Sequence, residues 1–477
     1  MQRKADLPNV IVVVLDTARA DAFEPYGAPG GSSPTVAQLA STGSAHPRVI
    51  APCNWTLPSH VSMLTGLLPR TAGLSAFPGG DQKYCRPVLE THRDRWLPEV
   101  FRRAGYTTAG ASTNVWISKR LGFDIGFGEF HDLVGRRVKQ MHDPSLSARL
   151  RWYAQAFLAR IDDGLSSVDR QIESWMAESH RPFFWFINII ECHSPYMPPH
   201  PYNDLGPLGR LLGAEDARRY QTLTGVWKCC ATGVTPPRRA LDRMRRLYDG
   251  SIRMMDDWLA RLCERLDGRG VLDETLLVVT SDHGENFGEG NLIGHAVSLD
   301  DRLLSVPLVF HGPGAPVPDG SVTSLASLPR LVAEAVGLGE HPWSADELPR
   351  GAAVGQYDIG ADPDDDRFGI IRDWGATAEG IRRFQQPGTA ATDGRYKLVT
   401  LGDDERLYDL QTDPFEVTPR PPADGPPDVV KTLRAALAQA RSTEWTPDVT
   451  ALGSPDAAPP QGEVKELEDR MRLLGYL

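Results

Sequence analysis

Long apolar runs are separated by amphipathic stretches along the first part of the chain. Residues 10–15, 183–190 and 275–280 are dominated by β-branched, leucine or aromatic side chains, and polar residues follow each run. Runs of this length without alternation predict strands that are buried on both faces of an α/β sheet. Weaker runs at 107–112 and 306–310 predict two further strands.

Helical periodicity fills the segments between these runs. Between Leu241 and Leu266 apolar residues recur every three to five positions, which predicts one helix that ends at Gly268-Arg269-Gly270. Residues 131–180 are also predicted to be largely helical. Together with 200–240 they are expected to be insertions near a functional site.

The composition changes near residue 345. Residues 345–366 are rich in Gly, Ala, Asp and Pro, and two short strand patterns then flank a turn at 402–404. A helix predicted around 428–441 completes a small α+β domain. The predicted organisation has three parts: a large α/β domain at 1–345 that carries the candidate site, a C-terminal α+β domain at 346–442, and an extended tail with a terminal helix at 443–477.

Charge and apolar segment length limit the expected partners. The net charge is −11 with scattered acidic residues, so neither nucleic acid nor an anionic membrane is expected as a partner. No apolar stretch approaches the ~20 residues that span a bilayer, and the run from Val10 is too short for a signal peptide. The six cysteines lack CxxC spacing, which predicts buried thiols. We therefore predict a cytoplasmic protein that acts on a small molecule, and leave a homo-oligomer open.

Polar side chains follow three of the predicted strands. Asp16 comes after the first run, Glu191 and His193 follow the second, and Asp282 and His283 follow the third. Ligands in open α/β sheets bind beyond the carboxyl ends of the strands, so these residues are site candidates. Burying an adjacent Asp and His costs free energy unless they are paired or bind a metal. Two carboxylates and an imidazole favour Zn²⁺ or Mn²⁺, with Ca²⁺ or Mg²⁺ as further candidates.

The stretch CNWTLPSHVSMLTG, residues 53–66, contains two candidate nucleophiles, Cys53 and Thr56. Pro58 is compatible with the first turn of a helix, which places Thr56 at the helix N-terminus. Free N–H groups and the positive end of the helix dipole favour an anion there and lower the pKa of a hydroxyl group. A simple N-capping role for Thr56 is the alternative.

Several segments stand in an order that is known from one enzyme superfamily: PNVIVVVLDTARADAFEPYG, TLPSHVSMLTGLLPRTAGL, ECHSPYMPP, TLLVVTSDHGENFGEGNLIGHAVSLDD, and RYKLV followed by RLYDLQTDPFE. In these segments the chain resembles the sulfatase branch of the alkaline-phosphatase superfamily. The resemblance spans nearly the whole chain. It implies an alkaline-phosphatase-like α/β fold, in which helices sandwich a large mixed β-sheet, followed by a smaller C-terminal α+β domain.

The chain departs from that family at the residues that define formylglycine sulfatases. Those enzymes carry a Cys-x-Pro-x-Arg motif whose cysteine becomes formylglycine; here Thr56 stands at the cysteine position and His60 at the arginine position. Thr17 replaces a second aspartate, and His295 stands where a lysine is expected, about twelve residues beyond the Asp-His pair. These changes make the site similar to threonine-dependent members, such as nucleotide pyrophosphatase-like phosphodiesterases, lipoteichoic acid synthases and phosphoethanolamine transferases.

The resemblance implies a role for each residue of the candidate site. His193 and His295 are implied to stabilise the transferring oxygens, to protonate the leaving group or to bind a second metal, and these alternatives stay open. Asn114 lies in the segment that aligns with a sulfate-holding Lys-Trp-His. The implied sets are catalytic Thr56, His193 and His295; substrate-binding Asn114 and His60; and metal-binding Asp16, Thr56, Asp282 and His283.

These features predict a metal-dependent hydrolase or group transferase that acts on a phosphate or phosphonate ester through a covalent Thr56 intermediate. Two alternatives stay open: a sulfuryl hydrolase or transferase without formylglycine, and a catalytically silent relative that binds a ligand. The retained polar residues at the strand ends argue against a silent protein. We further expect Glu285 to orient His283.

Overall fold

The computed structural model describes residues 7–74, 85–135, 145–160, 162–178, 180–358 and 371–442. The predicted tail and terminal helix at 443–477 lie outside these residues, as do parts of the segment 131–180. The described residues form a large α/β body and a smaller antiparallel sheet.

The strands in the described residues are β1 (Asn9–Leu15), β2 (Ser44–Ala45), β3 (Val49–Ile50), β4 (Thr107–Ser112), β5 (Glu129–Asp132), β6 (Phe183–Ile189), β7 (Thr275–Thr280), β8 (Asn286–Phe287), β9 (Ile293–Gly294), β10 (Ser305–Val306), β11 (Leu308–His311), β12 (Thr323–Ser324), β13 (Ala353–Tyr357), β14 (Gly388–Thr392), β15 (Tyr396–Leu401) and β16 (Asp404–Asp409). The α-helices are Pro34–Thr42, Thr56–Thr65, Pro69–Ala72, Cys85–Thr91, Leu97–Arg103, Leu146–Leu158, Leu165–Glu178, Pro207–Tyr220, Leu223–Thr232, Arg238–Asp267, Asp301–Leu304, Leu328–Ala335, Ala378–Gln385 and Pro427–Ser442.

The largest sheet has seven strands in the order β2-β11-β7-β1-β6-β4-β5. Its central strands β7, β1, β6 and β4 are parallel to one another, whereas β11 runs antiparallel to both β7 and β2. The sheet is therefore mixed and lies between helices, which confirms the fold class expected from the sequence.

Strand β1 shows why an uninterrupted apolar run lies at the centre of this sheet. All seven of its residues are buried. Val12 packs in the apolar core that contains the helix Thr56–Thr65, and its neighbour Val13 packs in the core that contains the helix Arg238–Asp267. Successive side chains point to opposite faces of a strand, so a strand covered by helices on both faces must be apolar at every position.

The predicted strand at 306–310 is divided in two by Pro307. The residues before it, β10, pair with β3, whereas the residues after it, β11, pair with β7 in the large sheet. Proline has no N–H group and cannot contribute a ladder hydrogen bond, which explains the interruption. The prediction of one continuous strand is therefore wrong at this position.

The C-terminal residues form an antiparallel sheet in the order β13-β14-β15-β16. Strands β15 and β16 and the helix Pro427–Ser442 occupy the positions predicted for them. Leu433 and Leu437 of this helix pack against Val354 and Leu398 of the sheet. A small C-terminal α+β domain is thus present.

Two further expectations concern helices and cysteines. Helices Leu146–Leu158 and Leu165–Glu178 confirm that much of 131–180 is helical. No helix within the described ranges combines the length and the apolarity that a bilayer-spanning segment needs.

All six cysteines carry free thiols; five are buried and Cys263 is half-buried.

A buried lysine joins the C-terminal sheet to the large domain. Lys397 Nζ lies 2.7 Å from Asp301 Oδ1 and 3.0 Å from Glu416 Oε2, and its side chain is 1% exposed. Arg48 supplies a second cation to Asp301 at 2.8 Å. Burial, only partly offset by Lys397, raises the pKa of Glu416 to about 7. Each charge in this cluster therefore depends on its partners.

We expect Lys397→Met to lower the free energy of unfolding by about 3–5 kcal/mol, because two buried carboxylates lose their shared cation. Denaturant unfolding followed by circular dichroism measures the change. Lys431→Met, at an exposed position of the helix Pro427–Ser442, is the control and should change stability by less than about 0.5 kcal/mol. Equal stability of the two variants would contradict a structural role for the buried cluster.

Candidate active site

The predicted site residues come together at one edge of the large sheet. Strands β7, β1, β6 and β4 are adjacent and parallel, so their carboxyl ends meet there. Asp282 and His283 follow β7, Asp16 follows β1, His193 lies beyond β6, and Asn114 follows β4. The edge therefore gathers side chains that are far apart in the sequence.

Asp16, Asp282 and His283 form a candidate metal centre. Each side chain offers one ligand atom, and these atoms lie within 4.8 Å of one another. All three residues are fully buried, and within the described residues neither Asp16 Oδ1 nor Asp282 Oδ2 accepts a hydrogen bond. Buried carboxylate oxygens without donors are costly unless a cation offsets their charge. The residues present therefore fit a divalent cation.

Burial and mutual repulsion make this cluster unfavourable without a cation. Burial, and then the charge of Asp282, raise the pKa of Asp16 to about 6. Burial likewise raises the pKa of Asp282, against the opposing effect of His60. Burial and the nearby His295 hold the pKa of His283 well below its ordinary value, which keeps its imidazole neutral and suited to metal ligation.

The turn after β1 adopts a strained conformation that orients the metal centre. Thr17 has φ 61°, which is rare for a β-branched residue, and its N–H donates to Asp282 Oδ1 at 3.1 Å. Tyr248, from the helix Arg238–Asp267, donates its hydroxyl to Thr17 O at 3.0 Å and accepts from Arg19 N at 2.8 Å. Tyr248 thus ties both sides of the strained turn to a rigid helix.

Removing the Tyr248 hydroxyl should loosen this turn. We expect Tyr248→Phe to lower the free energy of unfolding by about 1–3 kcal/mol, because the buried Arg19 N–H loses its acceptor. We also expect weaker metal binding, since the turn sets the position of Asp282. Titration of metal-free protein with Mn²⁺ and thermal unfolding check both effects. The control is Tyr202→Phe, whose hydroxyl donates to Asp257 near the surface; metal binding equal to that of this control would contradict the positioning role.

Thr56 lies at the metal centre and Cys53 does not. The helix begins at Thr56, with Trp55 as its N-cap residue, so the Thr56 hydroxyl is not the helix cap. Instead its Oγ1 lies 3.3 Å from His283 Nε2. Cys53 is fully buried, and burial raises the pKa of its thiol to about 12, which leaves almost no thiolate near neutral pH.

Asn114 and His60, the two residues predicted to contact the substrate, lie against residues of the candidate metal centre. Asn114 Nδ2 donates to Asp16 Oδ2 at 2.7 Å, and its Oδ1 accepts from a backbone N–H two residues later. His60 is fully buried, with Nδ1 2.9 Å from Thr56 O and 3.4 Å from Asp282 Oδ2. In these positions both side chains orient groups of the centre. Their contact with a substrate stays a prediction.

His193 and His295 form a pair beside the centre. Their ring centroids are 4.8 Å apart, and the His295 ring lies 4.6 Å from that of His283. Although burial disfavours its charged form, the Glu285 carboxylate raises the pKa of His295 above the ordinary value. Burial, and then His295, lower the pKa of His193. The pair therefore combines one histidine whose charged form is favoured, His295, with one whose neutral form is favoured, His193.

Glu285 has a different partner from the one expected. Its Oε1 lies 3.0 Å from His295 Nδ1, and its Oε2 accepts the Tyr196 hydroxyl at 2.6 Å. The Nδ1 atom of His283 instead lies 2.9 Å from Gly284 O. The expectation that Glu285 orients His283 is therefore wrong: it orients His295.

Two residues near the site were missed from the sequence. Asn188 lies near the end of β6, and its Nδ2 lies 3.5 Å from Asp16 Oδ2 and 3.3 Å from Ser112 Oγ. Asn188 could have been found from the sequence, because it is the polar residue in an otherwise apolar strand. Tyr248 had no such signal, because it lies among the apolar positions of an amphipathic helix.

Comparison with known proteins agrees with this fold. A family model described as Sulfatase matches residues 8–359. The choline-sulfatase of Rhizobium meliloti is 22% identical over 460 residues, which cover 87% of this chain and 84% of the relative. The multifunctional alkaline phosphatase superfamily protein PehA of Trinickia caryophylli is 22% identical over 401 residues, covering 72% of this chain and 74% of that protein.

Among solved structures, the phosphonate monoester hydrolase of Agrobacterium radiobacter superimposes with a TM-score of 0.62 at 19% identity, covering 92% of this chain and 96% of its own. The family model, the curated relatives and the shared fold together place the chain among hydrolytic enzymes of the alkaline-phosphatase-like superfamily. Because the family model spans most of the sequence, the chain belongs to the sulfatase family.

Proposed function

We propose that this protein is a metal-dependent hydrolase or group transferase of phosphate or phosphonate esters, with Thr56 as its nucleophile. The observation that carries the proposal is the position of the Thr56 hydroxyl, 3.3 Å from His283 Nε2. The nearby Cys53 thiol is buried and in the wrong register for formylglycine. Two phosphonate monoester hydrolases have a fold similar to that of this chain, and PehA is similar to it in sequence. Both similarities support this chemistry.

Asp16, Asp282 and His283 would hold the divalent cation, with the Thr56 hydroxyl beside it, and Zn²⁺ or Mn²⁺ suits this donor set. When bound, the cation supplies positive charge that lowers the pKa of the Thr56 hydroxyl and stabilises negative charge on the transferring group. The N-terminus of the helix Thr56–Thr65 adds N–H groups with the same effect. Within the described residues, no second set of three such ligands is formed at His193 and His295.

In the first step the Thr56 hydroxyl loses its proton to water and Oγ1 bonds to phosphorus. The bond from phosphorus to the alcohol oxygen breaks, and that oxygen takes a proton from the imidazolium of His295. Water then attacks phosphorus and gives a proton back to His295, the bond to Thr56 Oγ1 breaks, and Oγ1 takes up a proton from solvent, so both groups are regenerated. Another alcohol in place of this water makes the reaction a group transfer.

His295 is the better placed proton donor of the histidine pair. Glu285 binds its Nδ1 and favours its charged form, so Nε2 is the nitrogen that would donate the proton. His193, whose pKa is lowered, is the neutral partner that accepts a hydrogen bond from the attacking water. His60 and Asn114 position the Thr56 backbone and Asp16.

Sulfate ester hydrolysis is the second candidate, because curated relatives such as the choline-sulfatase are sulfatases. A catalytically silent binding protein is disfavoured by the intact Asp16, Asp282 and His283 cluster. Burying two carboxylates lowers the stability of the folded protein, and without catalysis or metal binding nothing would offset that loss.

The test is a panel of nitrophenyl esters with metal-loaded protein: a phosphate monoester, a phosphate diester, a phosphonate and a sulfate. The proposal predicts that a phosphorus ester is hydrolysed with a higher kcat/KM than the sulfate. Turnover of the sulfate alone would establish the second candidate in its place. Absence of both turnover and bound metal would favour the silent protein.

A further inference from the structure

Two helices of the large domain, Leu146–Leu158 and Pro207–Tyr220, carry most of the exposed apolar side chains. Among the described residues ten large apolar side chains are exposed, and six of these lie on the two helices: Leu146, Leu150, Phe157, Leu158, Leu208 and Leu212. Single apolar residues are ordinary on a protein surface, whereas a contiguous group of them marks an interaction site. The arrangement of these six side chains therefore decides what they can do.

The first helix has two apolar faces, of which only one packs against the protein. Trp152 and Ala156 belong to its buried face and lie in a small apolar core. Leu146, Leu150 and Phe157 are four and seven positions apart, so they project within an arc of about 40°. Leu146 is 71% exposed and Leu150 is 64% exposed. These three side chains thus form an exposed stripe that is separate from the packed face.

A contact between the helices joins this stripe to the leucines of the second helix. The Tyr153 hydroxyl donates to Glu215 Oε2. Tyr153 lies three residues after Leu150, and Glu215 lies three residues after Leu212, so each shares a helix face with that leucine. The exposed side chains of the two helices therefore form one surface, which we call the leucine face: Leu146, Leu150, Phe157, Leu158, Leu208 and Leu212.

The charge around the leucine face is positive although the chain as a whole carries −11. Residues 145–160 contain Arg149, Arg151 and Arg160, all exposed, and no acidic residue. Helix geometry places Arg149 and Arg151 on either side of the exposed stripe. The second helix adds three arginines against two acidic residues. Arginine side chains can lie along apolar neighbours and extend their guanidinium groups beyond them.

A lipid surface fits these features better than a protein partner. Pairing the face with a second copy of itself would bring the arginines of both copies together, and like charges oppose such a contact. Leu146 and Leu208 are 71% and 70% exposed, so they project from the surface, whereas a bound peptide helix needs a groove. Apolar side chains flanked by basic residues are suited to the boundary between lipid headgroups and acyl chains.

We propose that the leucine face binds the protein to the surface of a membrane that contains anionic lipids. Leu150 and Phe157 enter the boundary between headgroups and acyl chains, and Arg149 and Arg151 contact the lipid phosphate groups. The net charge, from which no membrane partner was expected, does not describe this local surface. The proposal does not depend on the ester chemistry proposed for Thr56.

The test is co-flotation of the whole chain with lipid vesicles. One set of vesicles is pure phosphatidylcholine, and the other contains about 30% phosphatidylserine, which supplies the negative surface. Wild-type protein should bind the anionic vesicles about ten-fold or more tightly than the neutral ones, because several arginines lie near the surface. Raising the salt concentration should weaken this binding, since it screens the charges.

Two double variants separate the apolar and basic contributions. Leu150→Gln with Phe157→Gln should weaken binding to anionic vesicles about ten-fold or more, because two apolar side chains no longer leave water. Arg149→Gln with Arg151→Gln should weaken it about five-fold or more. All four positions are exposed, and glutamine is a good helix former, so circular dichroism should show an unchanged fold.

Matched changes elsewhere provide the controls. Val317→Gln replaces an apolar side chain that is 81% exposed outside the two helices. Arg350→Gln with Arg434→Gln removes two exposed arginines, one before β13 and one in the C-terminal helix. Both controls should keep wild-type vesicle binding. A loss in these controls as large as in the leucine-face variants would overturn the proposal, since binding would then not be local to that face.

The remaining outcomes distinguish the possible occupants. No flotation of wild type with anionic vesicles, or undiminished flotation of Leu150→Gln with Phe157→Gln, would overturn the proposal. Sedimentation velocity examines the second copy: self-association that this variant abolishes, without vesicle binding, would make the face a dimer interface instead. Hydrolysis of the nitrophenyl esters should be unchanged in every variant, so failure of this proposal and failure of the proposed function are told apart.

Discussion

Thr56→Ala should abolish turnover while leaving the fold and the metal intact. Loss of a covalent nucleophile typically reduces kcat by about 10³-fold or more. The hydroxyl lies at the helix N-terminus, 3.3 Å from His283 Nε2, and it is not the helix cap. Its removal therefore costs little stability. Steady-state kinetics with the best ester of the nitrophenyl panel measures the loss.

Two variants on the same helix serve as controls for this result. Thr56→Ser keeps a hydroxyl at the position and should retain measurable turnover, whereas Thr56→Ala should not. Thr65→Ala removes a buried threonine hydroxyl at the other end of the helix, where it donates to Val61 O at 2.7 Å. It should keep turnover within about three-fold of wild type. Undiminished turnover in Thr56→Ala would contradict the assignment of the nucleophile.

Asp282→Asn should greatly weaken metal binding but leave the fold intact. Asp282 Oδ1 accepts backbone N–H groups from Thr17 and His283, which an asparagine oxygen can also accept. Its Oδ2 is buried without a donor among the described residues. The amide removes the negative charge that attracts a cation there, so metal affinity should fall by about 100-fold or more, and turnover with it.

Stability supplies the second readout for Asp282→Asn. Because burial raises the pKa of Asp282, its ionised form destabilises the metal-free protein near neutral pH. We therefore expect the metal-free variant to melt at the same temperature as metal-free wild type, or higher. Added metal should stabilise wild type only. Asp256→Asn is the control: this carboxylate is also buried, but it accepts from the N–H groups of Thr35 and Val36 and is not one of the candidate metal ligands, so the variant should keep wild-type metal content.

The clustering of Asp16, Asp282 and His283 was predictable because it follows from the positions of strand ends. The residues that follow adjacent parallel strands lie at the same edge of the sheet. Because β1 and β7 are adjacent and parallel, Asp16 and Asp282 lie close together. The position of His60 also has a local explanation. It lies four residues after Thr56, on the same helix face, and its Nδ1 lies near Thr56 O.

The partner of Glu285 was not predictable in this way. Strands β8 and β9 pair Asn286 with Gly294 in a short antiparallel ribbon. The ribbon brings Glu285, just before it, next to His295, just after it. A two-residue strand has too little pattern to be recognised in the sequence, so adjacency to His283 along the chain suggested the wrong partner.

In the proposed reaction Thr56 carries the transferring group. The most direct measurement is mass spectrometry of the Thr56-containing peptide after metal-loaded protein is mixed with a phosphorus ester and quenched rapidly in acid. We predict a phosphoryl or phosphonyl group on Thr56 and none in the same peptide of Thr56→Ala. Attachment of the group to another residue, or formylglycine at Cys53 in active protein, would contradict the role of Thr56 as the nucleophile.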